Sequence, residues 1–129
     1  MKHFIDISNF QLEKLDSIIK IAKQIKKNPK KFSNKCKNKT LGMIFQKDST
    51  RTRASFTVGF QKLGGNTLEL NSKSIGFGKR ESVEDILRTL AQFIDVLVIR
   101  NDDHEILNKL SSLNVLPIIN GLTDMSHPC

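Results

Sequence analysis

Apolar and polar positions alternate along this chain with two distinct periods. Leu12, Leu15, Ile18, Ile19, Ala22 and Ile25 recur at helical spacing, so the pattern predicts an amphipathic helix. Ser8-Asn9-Phe10-Gln11 reads as a capping box before it, with Ile7 and Leu12 placed for a hydrophobic staple, and Asn28-Pro29 ends it. Residues 30–39 read as a lysine-rich loop. Leu41–Phe45 is a continuous apolar run, as expected for a buried strand. A helix is predicted from Arg51 to Leu63, packing Phe56, Phe60 and Leu63, with Gly64-Gly65 as its C-terminal stop. Asn66–Leu70 is a second strand and Asn71–Arg80 a polar loop. Ser82 opens a further helix with acids in its first turn; Val83, Ile86, Leu87, Leu90, Ala91 and Ile94 line one face. Asp95–Arg100 is a third strand, His104–Leu113 a short helix, Val115–Ile119 a fourth strand, and Asn120–Cys129 a loop.

Strands separated by helices imply an α/β fold: a parallel four-stranded sheet flanked by helices on both faces. Ligands of such sheets bind beyond the C-terminal strand ends. Those ends are chemically informative here. The first runs into Ser49-Thr50-Arg51-Thr52-Arg53, the third ends at Arg100, and the fourth ends shortly before His127. Three hydroxyls and two guanidiniums at a strand-to-helix turn suit an anion. The first helical N–H groups have no partner, the helix dipole favours negative charge, and arginine grips phosphate oxygens as a fork. A bland alternative stays open, in which Ser49 is an N-cap and an arginine forms a structural ion pair.

Length and composition narrow the class. One domain is the natural expectation for 129 residues, spanning 1–129. The net charge of +8 suggests nucleic acid, but its distribution argues otherwise. Residues 1–40 hold eleven Lys against three acids, while the remainder is balanced. Lysines spread along an amphipathic helix and its exit loop read as a solvated face, with an RNA, DNA or acidic-membrane contact as the alternative. Cys36 and Cys129 form no disulfide framework and no metal spacing. No apolar run approaches the ~20 residues of a membrane span, and the start lacks a signal core. A cytoplasmic protein without a membrane or nucleic-acid partner is the expectation.

Other candidates fail on chemistry. Gly76-Phe77-Gly78-Lys79-Arg80 lacks the glycine spacing of a Walker loop, where Lys73 stands, and of a dinucleotide fingerprint, where Glu81 stands. It remains either a basic loop reaching for an anion or a solvated loop. His127 and Cys129 lack an obvious orienting acid for a nucleophile pair. His3 and His104 read as surface or capping histidines.

Taken together, several strings resemble one family. Phe45-Gln46-Lys47-Asp48-Ser49-Thr50-Arg51-Thr52-Arg53-Ala54-Ser55-Phe56 resembles the carbamoyl-phosphate motif of the aspartate/ornithine transcarbamoylases. Leu63-Gly64-Gly65, Arg80-Glu81-Ser82, Val98-Ile99-Arg100, Asn120-Gly121-Leu122-Thr123-Asp124 and His127-Pro128-Cys129 follow in the same order. The last two resemble the ornithine branch. The resemblance covers essentially the whole chain. It implies the carbamoyl-phosphate-binding domain of the transcarbamoylase fold, truncated at its C-terminal end, with the ornithine-binding domain absent. The reaction implied is carbamoyl transfer from carbamoyl phosphate to the δ-amine of L-ornithine, giving citrulline and phosphate for arginine biosynthesis. A homotrimer when full length, and no metal or organic cofactor, would go with it. By motif match, Ser49, Thr50, Arg51 and Thr52 would bind the phosphate, and Arg100 and His127 the carbamoyl carbonyl; Arg51, Arg100 and His127 would be the catalytic set. Arg53 reads as structural. Gly76 stands where many ornithine enzymes carry a Gln that reaches the neighbouring subunit's site, so Lys79 or Arg80 would have to supply that contact. Gln46 replaces a usual Glu. The alternatives are another acceptor (aspartate, putrescine or an acylated ornithine), an inactive remnant, or a basic nucleic-acid-binding module.

Overall fold

Four parallel strands form a sheet in the order β2-β1-β3-β4. They are β1 (Thr40–Phe45), β2 (Asn66–Asn71), β3 (Val96–Arg100) and β4 (Ile118–Asn120). The helices are α1 (Leu12–Lys27), α2 (Thr50–Lys62), α3 (Ser72–Ile75), α4 (Val83–Leu90) and α5 (His104–Ser112). This computed structural model describes residues 2–75 and 82–129. Gly76, Lys79 and Arg80, the loop expected to face a neighbouring subunit, lie outside the described residues.

Side-chain alternation in the strands divides the core in two. On one face Leu41, Met43, Phe45 and Val98 meet Phe56 and Phe60 of α2. On the other, Ile44, Leu97, Ile99 and Ile118 meet Leu87 of α4 and Leu107 and Leu110 of α5. Val98, Ile99, Leu107 and Ile118 are completely buried, each worth about 1.5–3 kcal/mol of removed apolar surface. Because α2 follows β1 on one face and α5 follows β3 on the other, the two connections diverge. Their strands are neighbours, so a crevice opens between their C-terminal ends, the switch point of a doubly wound sheet.

Several boundaries differ from expectation. The helix predicted from the capping box begins at Leu12, and its cap Gln11 makes no side-chain hydrogen bond. Asp6 intervenes: its carboxylate accepts the Ser8 N–H at 2.9 Å and nucleates a 3₁₀ turn over Ile7–Asn9. Ile7 and Leu12 are 46% and 77% exposed, so they form no buried staple. No residue of α1 is fully buried among the described residues; Leu15 and Ile25 of its apolar stripe are half-buried, while Leu12, Ile18 and Ile19 are exposed. The polar stretch after β2 begins with the single turn α3. The helix predicted to reach Ile94 ends at Leu90, and Ala91 caps it. β4 starts at Ile118 and not Val115, because Pro117 lacks an N–H and contributes only its carbonyl, which accepts from Leu97 at 2.9 Å. Phe4 adds a parallel bridge beside β4, donating to Ile118 O and accepting from Asn120 N at 2.8 Å each.

Gly64 ends α2 as expected, at φ +87°, and a Cβ there would strike the Ser33 carbonyl oxygen. Among the described residues no helix is long and apolar enough to cross a membrane.

Candidate functional site

At the switch point lies a cleft of about 750 Å³. Ser49, Thr50, Arg51, Thr52, Arg100 and His127 all line it, so the structure gathers every residue of the expected substrate set. Asp48, Ser55, Phe56, Leu122 and Cys129 complete the wall.

One side of the cleft is the N-terminus of α2. Ser49 is its N-cap, extended at φ −148°, and its hydroxyl accepts the Thr52 N–H at 3.3 Å. The capping reading of Ser49 is therefore correct and does not compete with ligand binding, since the hydroxyl hydrogen stays available to an anion. The N–H groups of Thr50 and Arg51 make no hydrogen bond among the described residues, as expected in a first turn. Arg51 is exposed and forms no ion pair among the described residues.

Arg53, the second arginine of the motif, is engaged elsewhere. Its Nη2 lies 3.1 Å from Asp48 Oδ1 and its Nε 3.0 Å from Glu69 Oε1, although the latter is misaligned for a hydrogen bond. The guanidinium also sits 5.3 Å from the centre of the Phe45 ring. Its role is local: it neutralises Asp48, whose carboxylate would otherwise repel an anion at the cleft.

The opposite wall comes from β3. Alternation places Arg100 on the same face as Val96 and Val98, beneath α2. Gln46 N donates to the Arg100 carbonyl at 2.9 Å and so fixes the strand end. Arg100 Nε is buried and has no hydrogen-bond partner among the described residues. Unpaired buried donors are rare and costly, and one that lines a cleft marks where an acceptor belongs.

The third wall is the strap from Asn120 to Cys129. Leu122 adopts φ +134°, a region disfavoured for a residue with a Cβ. Two asparagines hold it there: Leu122 N donates to Asn120 Oδ1 at 2.8 Å, and Asn101 N donates to the Leu122 carbonyl at 3.1 Å. His127 stands exposed at the rim without a hydrogen bond among the described residues. The Cys129 thiol donates to the Asn120 carbonyl at 3.2 Å, and burial pushes its pKa up to about 11. The thiol is thus engaged with backbone and not with His127, to which it makes no hydrogen bond among the described residues, and this argues against a His127–Cys129 pair.

Sideways ties join the loops behind the cleft. Asp102 N donates to Gln46 Oε1 at 3.2 Å, Lys47 Nζ lies 3.0 Å from Asp102 Oδ2, and Asp124 N donates to Asp102 O at 3.1 Å. Gln46 thus connects the turn before α2 to the turn after β3. The two histidines expected at the surface or as caps are more embedded than the sequence suggests, although His104 does stand at a helix start. His3 Nδ1 accepts from Ile118 N at 3.3 Å, and His104 is buried. Their partners are 115 positions away for His3 and 19 for His104, so no local signal could reveal them.

The fold is that of a doubly wound parallel α/β domain, and the cleft at its switch point gathers two arginines, a histidine and several hydroxyls. Comparison with known proteins sharpens this. Residues 2–129 match the aspartate/ornithine carbamoyltransferase carbamoyl-P binding domain, and the chain belongs to that family. It is 41% identical over 128 residues to an ornithine carbamoyltransferase of Listeria monocytogenes, covering 99% of this chain and 40% of that protein. The solved ornithine carbamoyltransferase of Pyrococcus furiosus superposes with a TM-score of 0.93 at 36% identity, over 99% of this chain and 42% of that one. An anabolic ornithine carbamoyltransferase from Campylobacter jejuni gives 0.91 at 35% identity, with 99% and 42% covered. The chain therefore spans about two-fifths of the length of the relatives it matches.

Proposed function

We propose that this chain binds carbamoyl phosphate and supplies the carbamoyl-donor half of an ornithine carbamoyltransferase site. The supporting observation is the convergence of Arg51, the open N-terminus of α2, the unpaired Arg100 Nε and His127 on one cleft. An anion with a phosphate at one end and a carbonyl at the other satisfies all four. The phosphate takes the Thr50 and Arg51 N–H groups, the Ser49 and Thr52 hydroxyls and the Arg51 fork. The carbonyl oxygen takes Arg100 and the His127 imidazole.

In that arrangement the neutral δ-amine of ornithine attacks the carbamoyl carbon. A C–N bond forms, the bond to the phosphate oxygen breaks, and the amine's proton passes to the departing phosphate. Charge gathers first on the carbonyl oxygen, under Arg100 and His127, and then on the departing phosphate, under Arg51 and the helix end. Donors preset toward a developing oxyanion are worth on the order of 3–4 kcal/mol each. Positioning of two substrates supplies much of the rest. The ornithine-binding groups belong, in this reading, to sequence outside these residues, since the relatives are more than twice as long. Ornithine as acceptor, assembly as a trimer, a cytoplasmic site and a role in arginine biosynthesis follow from the family resemblance. They form part of the same proposal.

Titration calorimetry of the chain with inorganic phosphate and with fresh carbamoyl phosphate tests the donor half directly. The expected result is binding of both, with carbamoyl phosphate the tighter. Absence of binding by either would refute the assignment of the cleft. Incubated with both substrates, the chain alone should form no citrulline, and measurable turnover would refute the division of labour.

A further inference from the structure

The strap that carries His127 is gripped from behind by a buried histidine that the chemistry above leaves unused. His104 opens α5 and is 7% exposed. Its Nδ1 lies 2.8 Å from the hydroxyl of Thr123, itself 5% exposed. That hydroxyl also accepts the Ser126 N–H at 3.1 Å and lies 3.3 Å from the Ser126 carbonyl. A hydroxyl owns one hydrogen. Given to His104, it leaves the ring as acceptor; given to Ser126 O, it leaves the ring Nδ1–H as donor. Either way the buried hydroxyl is satisfied, and removing the ring leaves it bonded only within the strap, to Ser126, with its side-chain tie to α5 gone.

The grip is double. The His104 backbone N–H also donates to Asp124 Oδ1 at 3.2 Å, so the first turn of α5 holds two successive strap residues. Within the strap, Thr123 N donates to Ser126 O at 2.9 Å, closing a tight turn, and His127 is the next residue. The phosphate end of the cleft is built on β1 and α2 and receives no hydrogen bond from His104. Loosening the strap should therefore disturb one end of the ligand and spare the other.

We propose that His104 is a positioning residue: through Thr123 it aims His127 at the carbonyl oxygen, and so sets the preference for carbamoyl phosphate over bare phosphate. This rests on the donor-binding reading above. The test compares the two affinities by calorimetry in wild-type chain, His104→Leu, His104→Asn and Thr123→Val. Leucine keeps the volume without hydrogen bonding, and valine removes the hydroxyl from the other partner. Both should lose about tenfold in carbamoyl-phosphate affinity while phosphate affinity stays within about twofold. Asparagine can accept or donate near the former Nδ1 position and should restore most of the loss. An unchanged ratio of affinities in the leucine and valine variants would overturn the proposal. So would a parallel loss for both ligands, or an asparagine variant as poor as leucine. If the leucine variant fails to fold, the valine variant decides alone. A wild-type chain that binds neither ligand sinks the donor-binding reading itself; wild-type binding with an unaltered ratio in the variants sinks only the role of His104.

Discussion

Replacing Arg100 with methionine should make the ligand-free protein more stable and the ligand-bound protein less so. The guanidinium is half-buried, and its Nε is fully buried without a hydrogen-bond partner among the described residues. A buried donor left unpaired costs about 1–3 kcal/mol. Because the residue lines an open cleft, the low end applies, about 1 kcal/mol. Methionine retains much of the apolar stem that packs below α2 and removes the orphaned group. For a domain of this length, 1 kcal/mol corresponds to about 3–5 °C in melting temperature. Thermal melts followed by circular dichroism, without ligand, should show the variant unfolding that much higher than wild type.

Carbamoyl phosphate should reverse the order. At a ligand concentration a hundredfold above the dissociation constant, wild type gains about 2.7 kcal/mol. A hydrogen bond from a charged donor contributes about 1.5–3 kcal/mol, so the variant's affinity falls by at least about tenfold and its gain drops to about 1.4 kcal/mol or less, which together with its head start of about 1 kcal/mol still leaves it below wild type. The melting temperatures of the two proteins should therefore cross as ligand is added. If the methionine variant melts below wild type without ligand, Arg100 holds the fold together and is not a group kept waiting for an acceptor, and the reasoning fails.

Three further outcomes can be checked. Arg51→Ala should weaken phosphate binding about a hundredfold, and Arg51→Lys about tenfold, because an ammonium cannot reproduce the fork; lysine binding as well as arginine in calorimetry would argue against bidentate contact. Asp95 takes a hydrogen bond and ion pair from Lys39 at 2.7 Å and the Thr40 N–H at 2.8 Å, and these hold its carboxyl below the usual 3.8. A lowered folded-state pKa gives stability that is present above the unfolded value and lost as pH falls through the folded one. Urea melts should thus show a small loss of stability as pH drops from about 5 to below 3.8, reduced in Asp95→Asn; an identical pH slope in both proteins would contradict this. Gly64→Ala should destabilise by about 1–3 kcal/mol in urea melts, since alanine at φ +87° meets the Ser33 carbonyl; an unchanged midpoint would mean the turn relaxes freely.

What the sequence revealed, and what it hid, follows from the range of the interactions involved. The runs Leu41–Phe45 and Val96–Ile99 are apolar at every position save Gly42, because parallel strands are covered on both faces, and both were legible. The strand ends then pointed to the cleft without any knowledge of strand order. Boundaries set by competition between neighbours were harder. Asp6 captures Ser8 N–H before Ser8 can cap a helix, and Pro117 delays β4 within an otherwise continuous apolar run, where hydrophobicity alone overrides the proline's signal. The stripe on α1 was read correctly as amphipathic, but periodicity reports only that a face is apolar, not what covers it. The Phe4 bridge and the His104–Thr123 contact join distant parts of the chain and leave no local trace.

Three local features around the cleft go unrewarded in the free chain. The N–H groups of Thr50 and Arg51 are unpaired among the described residues, Arg100 Nε is stranded, and Leu122 occupies strained backbone. None of these stabilises the free chain. Each is imposed by neighbours that are themselves well satisfied: Ser49 on Thr52, Gln46 on Arg100, Asn101 and Asn120 on Leu122. A sequence optimised only for folding would have removed such conflicts. Their survival together, around one volume at the divergence of β1 and β3, is what a preorganised site requires: donors already aimed, so that no rearrangement is needed when charge arrives. The asymmetry between an unsatisfied rim and a tightly bonded support therefore supports the proposed donor site more strongly than any single residue in it.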